Sequence, residues 1–226
     1  MADKKHTQDP LDLEEAVSAS EAFIIKYKNP FLIGIAAIVI VVVGFLGYKN
    51  FISEPRENKA TEALFKGEQY FNASNYEVAL NGDSIGYEGF LKVADEFSGT
   101  ESGNLANAYA GICYAQLGEY ENALKYLDKF SADDQLISPA ILGTMGNCYA
   151  KLGNLDKAVS LLKEAANEAD NNSLSPVFLQ QAGEILLSQG KGEEAAKVFT
   201  TIKEKYFRSI QSMEVEKFIE KANLLK

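Results

Sequence analysis

Apolar residues follow two regimes along the chain. Residues 31–48, FLIGIAAIVIVVVGFLGY, contain no charge and no strongly polar side chain; from about residue 60 onward, apolar positions recur at helical spacing among polar ones. As a helix, the first run reaches about 27 Å, close to the hydrocarbon core of a bilayer. A soluble core helix of that length would carry a polar face. The run therefore predicts a transmembrane helix over residues 30–49, with an acidic tail over 1–29 before it. A linker over 50–59 containing Pro55 follows, and then a helical domain over 60–226.

The tail holds six acidic residues, and no small-residue cleavage pattern appears in YKNFISEPRE after the span, so the helix is expected to stay as a signal anchor. Lys26 and Lys28 precede it while Lys49, Arg56 and Lys59 follow, so the positive-inside rule does not decide orientation. A short tail before a single anchor favours a cytoplasmic N-terminus and an exported C-terminal domain.

Within that domain the chain repeats itself. GICYAQLGEYENALKYL (111–127) returns as GNCYAKLGNLDKAVSLL (146–162), with Gly111, Cys113, Tyr114, Gly118 and Ala123 matched 35 positions later by Gly146, Cys148, Tyr149, Gly153 and Ala158. GEILLSQGKGEEAAKVF (183–199) keeps Gly183, Gly190, Ala195 and Phe199, with Leu186 at the Tyr position. GEQYFNASNYEVAL (67–80) keeps Gly67, Tyr70, Tyr76 and Ala79, and its second helix is interrupted by NGDSIGYEG before FLKVADEF resumes it. Gly118, Gly153 and Gly190 each end a first helix, and in every copy a small Ala sits on a second. Ala facing Gly is expected to let two antiparallel helices approach closely, with Tyr114 and Leu127 beside them.

This order resembles the tetratricopeptide repeat, whose period is 34 residues. Gly111, Tyr114, Gly118, Tyr120 and Ala123 meet its G-x-x-Y-x-x-x-G-x-Y-x-x-A pattern, although no copy has the family's early Trp or closing Pro. The resemblance implies an all-α solenoid of about four helix pairs, with units near 60–103, 104–138, 139–175 and 176–208. SMEVEKFIEKANLLK supplies a capping helix within 209–226, which a solenoid needs to cover its last apolar face.

Charge and chemistry narrow the function. From residue 53 onward the chain has 17 Lys/Arg against 26 Asp/Glu, and an acidic domain without basic clusters repels phosphate backbones, so nucleic acid is not an expected partner. The sole histidine, His6, lies in the tail, no Ser/His/Asp or Cys/His arrangement can be assembled in the repeats, and SQGKGEE is a repeat turn rather than a phosphate loop. No enzyme activity, catalytic residue, cofactor or metal site is expected. Cys113 and Cys148 occupy equivalent positions in stacked repeats about 10 Å apart, beyond the ~7 Å a disulfide spans, so each reads as a small buried packing residue.

Binding remains. By register with the family, the first helices line a concave groove for protein partners. Leu64, Glu68, Phe71 and Asn72 come from the first unit, Leu105, Ala108, Ile112 and Gln116 from the second, Asn147 and Lys151 from the third, and Gln180, Glu184 and Leu187 from the last. The Lys/Asn/Arg set with which some relatives clamp a C-terminal carboxylate is present only as the fragments Asn147 and Lys151. The whole layout, with GIAAIVIVVVGFLGYKNF running through Lys59 into ATEALFKGEQY, resembles the ancillary SecYEG translocon subunits of the bacterial inner membrane. That resemblance implies a periplasmic domain recruiting chaperones or newly exported clients; a scaffold for another envelope complex and a structural homo-oligomer are the other readings. Gly34, Ala37, Val41 and Gly44 form a stripe suited to helix packing in lipid. Asp83-Ser84-Ile85 resembles the Asp-Ser/Thr-aliphatic acceptor of O-glycosylation in Bacteroidota, making Ser84 a candidate modification site.

Overall fold

The computed structural model describes the backbone of residues 13–132 and 134–225, and side chains from residue 25 onward. The chain divides into two compact units, Met1–Pro55 and Arg56–Lys226. The first holds α1 (Leu13–Tyr48), with Pro30 inside it, followed by a π-helical turn (Lys49–Ser53). Its apolar stretch reaches a mean hydropathy of 2.7 with none of it buried, making it long and apolar enough to cross a membrane.

Residues 50–59, read as a linker, are helical: α2 spans Glu54–Asn72, and Glu54 N–H bonds back to Lys49 O. Pro55 explains the wide turn, because its ring has no N–H and would clash with the carbonyl four residues earlier. The second unit accordingly starts at Arg56, ahead of the expected residue 60.

The second unit is a stack of antiparallel helix pairs. First helices α2, α5 (Glu101–Gln116), α7 (Ile137–Lys151) and α9 (Ser175–Ser188) alternate with second helices. These are the split α3 (Tyr76–Asn81) and α4 (Phe90–Glu96), then α6 (Tyr120–Leu127), α8 (Leu155–Ala169) and α10 (Gly192–Lys205). A 3₁₀ turn (Gln211–Met213) leads into the cap α11 (Val215–Asn223), which buries Val215 and Ala222 and exposes Glu216, Lys217 and Glu220. The described residues contain no strand.

One device ends all four first helices. Gly118, Gly153 and Gly190 take left-handed φ angles of 82°, 83° and 73°, and Ser74 takes 58° at the matching place in the first repeat. The next amide then reaches the carbonyl five residues back, Asn75 to Tyr70, Glu119 to Tyr114, Asn154 to Tyr149 and Lys191 to Leu186, each at 2.9 Å. This satisfies carbonyls that a helix end leaves open, and it reverses the chain into the second helix.

The close approach within pairs differs in one respect from the expected Ala-on-Gly contact. A Cβ at Gly111 would lie 2.5 Å from Leu127 Cγ, one at Gly146 2.9 Å from Leu162 Cγ, and one at Gly183 2.5 Å from Phe199 Cζ. The glycine is thus covered by a large side chain sixteen residues on. Ala123, Ala158 and Ala195 are fully buried on the same second helices. In the first repeat the Tyr87 hydroxyl and the Phe90 ring cover Gly67, Phe90 coming seven residues later than that rule places it, because the loop 82–89 splits the second helix.

One long-range cap joins the first two repeats, and local caps start the later first helices. Glu57 accepts from Glu101 N–H at 2.8 Å and Ser102 N–H at 2.9 Å, placing a carboxylate on the positive end of α5, while Thr61 and Ser102 hydroxyls meet at 2.8 Å. Asp134 accepts from Leu136, Ile137 and Ser138 at the start of α7, and Asn171 from Ser173 and Leu174 before α9.

Candidate partner-binding face

First helices of successive repeats lie side by side. Tyr109 of α5 stacks on Phe90 at 4.9 Å and meets Phe71 of α2 edge-on at 5.0 Å, and its hydroxyl donates to Glu68 of α2 at 2.9 Å. Burial and then the Glu68 hydrogen bond push the Tyr109 hydroxyl up to about 12. Ala108 of α5 packs in one cluster with Ile141 of α7, and Gly143 of α7 faces the Phe178 ring of α9. Side chains at equivalent repeat positions therefore form rows across the stack.

These rows sort the thirteen candidate residues. Asn72, Gln116, Asn147, Lys151 and Glu184 are exposed. Glu68, Phe71, Leu105, Ile112 and Gln180 are half-buried, with Gln180 Nε2 donating to Glu184 at 3.0 Å. Leu64, Ala108 and Leu187 are buried in the core and offer a partner no surface, which corrects their place in the groove. The neighbouring repeat covers them: Leu64 lies with Ala106 and Ala110, Ala108 with Ile141, and Leu187 in the cluster of the last repeat and cap. What remains is a mixed face of four amides, three partly covered apolar side chains and the charged Glu68, Lys151 and Glu184, suited to hydrogen bonding with a peptide backbone. Tyr109 was not among the expected residues, yet it ties two first helices together at that face.

Other expected residues fall elsewhere. Gly34, Ala37, Val41 and Gly44 are exposed on α1, and a Cβ at Gly34 or Gly44 would meet nothing within 4 Å. Ser84 is exposed in the loop 82–89, where Asp83 is fully engaged: its carboxylate accepts from Tyr70 Oη at 2.6 Å and from the amides of Ile85 and Tyr87 at 2.8 and 2.9 Å. The Tyr70 hydroxyl, with those amides, holds the Asp83 carboxyl down at about 2. Cys113 and Cys148 are free and buried, and burial pushes their thiols up to about 12 and about 11. Among the described residues no group of three or more His, Cys, Asp or Glu is placed to hold a metal ion; His6 lies outside them.

The tetratricopeptide repeat family model matches residues 114–175, the stretch from the end of α5 to the start of α9. No curated protein matches the chain by sequence. Among solved structures, a Podosopora anserina kinesin light chain candidate with nearly identical TPR-like repeats superposes with a TM-score of 0.56 at 11% identity, covering 75% of this chain and 87% of that one. The fold is thus an all-helical TPR-like solenoid, an architecture that generally serves as a non-enzymatic scaffold for protein–protein contact.

Proposed function

We propose that this chain is a membrane-anchored protein-binding scaffold of the bacterial cell envelope, recruiting partners through the first-helix face of its solenoid. The observation carrying this reading is a row of exposed polar side chains on stacked first helices, Asn72, Gln116 and Lys151, with the exposed amide of Asn147 one turn before Lys151 and the half-buried Phe71, Leu105 and Ile112 beside them. An extended or helical segment of a partner would lie along the row, its polar groups meeting the amides. In this reading α1 is an uncleaved anchor and the solenoid is exported, as in an ancillary subunit of the Sec translocon. Gly34, Ala37, Val41 and Gly44 then dock laterally on a membrane partner, since close backbone approach drives helix association in lipid. Ser84, at the tip of a braced loop, is the proposed modification site.

The test is copurification from native membranes. Asn147→Arg combined with Gln116→Arg changes only exposed positions, so it should deplete specific partners while the melting temperature holds. Gly34→Leu with Gly44→Leu should deplete a membrane partner while leaving insertion intact. Equal recovery in both variants, with the protein eluting as a homo-oligomer, would favour the self-assembling reading instead.

A further inference from the structure

The helix pairs give the solenoid two edges. Turns within repeats (73–75, 117–119, 152–154 and 189–191) lie along one. The connections between repeats (97–100, 128–136, 170–174 and 206–214) lie along the other, together with the start of α2. Hydrogen bonds trace this second edge: Arg56 donates to Glu96 O at 2.8 Å, Asn104 donates to Ser131 O at 2.8 Å, and Tyr206 Oη donates to Asp170 at 3.2 Å.

Five large apolar side chains stand in solvent along that edge. Phe207, Ile210 and Met213 are 63%, 79% and 81% exposed, and Leu136 and Ile137 66% and 45%. The first three are spaced by three in a turn with 3₁₀ character, so they stand in one ridge. The ridge is braced from beneath: Ser209 is buried and its amide donates to Tyr206 O at 2.9 Å, while Ser212 Oγ donates to Phe207 O at 2.8 Å. Charge beside it is balanced, with Asp170 paired to Lys205, and Glu216 and Glu214 paired to Lys203 and Lys217. Arg208 lies over the Phe207 ring at 5.4 Å. On the opposite edge the turn leucines Leu117 and Leu152 are 40% and 39% exposed and Leu224 and Leu225, beside Gly192, stand further out, while Phe65 and Ile85 are exposed singly on α2 and in the loop 82–89.

We propose that the edge of inter-repeat connections lies against the bilayer, with the Phe207–Ile210–Met213 ridge and Leu136–Ile137 seated among lipid headgroups. The proposal rests on the reading of α1 as a membrane anchor. Arg56 opens this edge and follows Tyr48, the last residue of the apolar run, by eight residues, a reach of about 27 Å even if fully extended. Tethering at that distance keeps the edge at high effective concentration beside lipid, so a weak apolar contact suffices. A basic side chain over an aromatic ring, on a ridge of apolar residues with its acids paired, suits an interface of phosphate and acyl chain.

The test uses the full chain, one copy per nanodisc of phosphatidylcholine and phosphatidylglycerol, with a fluorophore on Ile210→Cys, Leu136→Cys or Leu117→Cys. The buried Cys113 and Cys148 leave each new thiol the reactive one. Brominated lipid should quench the labels at 210 and 136 by about half, the loss expected for probes within the ~5–10 Å interfacial layer, and spare the label at 117. Adding Phe207→Asp and Met213→Asp should relieve quenching at 136. Retention in the bilayer through alkaline extraction with no quenching at 210 and 136 overturns the edge contact and leaves the anchor standing. Release by alkali overturns the anchor and this inference together.

Discussion

Gly111→Ala probes the packing that defines the repeat. In an open helix this change stabilises by about 1 kcal/mol, because Gly is the poorer helix former. Here the new Cβ would sit 2.5 Å from Leu127 Cγ and Cδ2 and 3.0 Å from Leu127 N. Leu127 is 1% exposed and has no solvent to retreat into. Overpacking of this kind costs about 1–3 kcal/mol, so the net effect is a loss of about 1 kcal/mol. For a unit of this size that lowers the melting temperature by about 2–4 °C. Gly146→Ala, whose nearest contact is Leu162 Cγ at 2.9 Å, should lose less. Denaturant titration of both variants, repeated in a Leu127→Ala background, completes a double-mutant cycle. With the leucine shortened, Gly111→Ala should change sign and stabilise. A stabilising Gly111→Ala in the intact protein would refute the close approach of α5 and α6.

Ser74 is the non-glycine member of the left-handed turns, so Ser74→Gly should raise stability by about 0.5 kcal/mol, the relief of φ outweighing the extra freedom of the unfolded chain; an unchanged midpoint would show no strain there. Partial burial raises the Glu57 carboxyl, but the Ser102 hydroxyl, the amides of Ser102 and Glu101 and the Thr61 hydroxyl outweigh it and hold it below its usual range. A carboxyl lowered by folding stabilises above its ordinary pKa and loses that contribution as pH falls through the folded value. Glu57→Ala should therefore cost about 1 kcal/mol at neutral pH, the usual loss of a helix N-cap, and make no difference in strong acid. By the same sign, protection of the Ile85 and Tyr87 amides from hydrogen exchange, relative to their intrinsic rates, should hold above about pH 4 and fall as Asp83 titrates towards about 2; Asp83→Asn should show the lowered protection already at neutral pH. Cys113 and Cys148 should ignore thiol reagents at pH 8 until denaturant is added, since burial keeps both protonated; prompt labelling of the native protein would contradict their packing.

Much of this architecture is legible from residues that act locally. Gly118, Gly153 and Gly190 mark the reversals because the left-handed φ is a property of one residue, and the NGDSIGYEG insertion reads as a break because it is rich in turn formers. Ser74 hides the same reversal, since nothing in its type announces a positive φ. The pairing of Gly111 with Leu127 rather than with Ala123 depends on which side chain reaches across, and spacing alone leaves that open. Register likewise places Leu64, Ala108 and Leu187 on the first-helix face but does not show that the next repeat buries them. Glu57 capping α5 joins residues more than forty apart, beyond any local pattern.

The central claim is that the first-helix face, on a membrane-held solenoid, is what partners touch. A photo-crosslinking side chain placed at Asn147 in the full-length chain, irradiated in native membranes, measures this most directly. Lys163, exposed on the second helix α8, is the matched control. The account predicts a discrete protein adduct at 147 that disappears with Gln116→Arg, and none at 163. Adducts at 163 but not at 147, from a chain that melts normally, would contradict it.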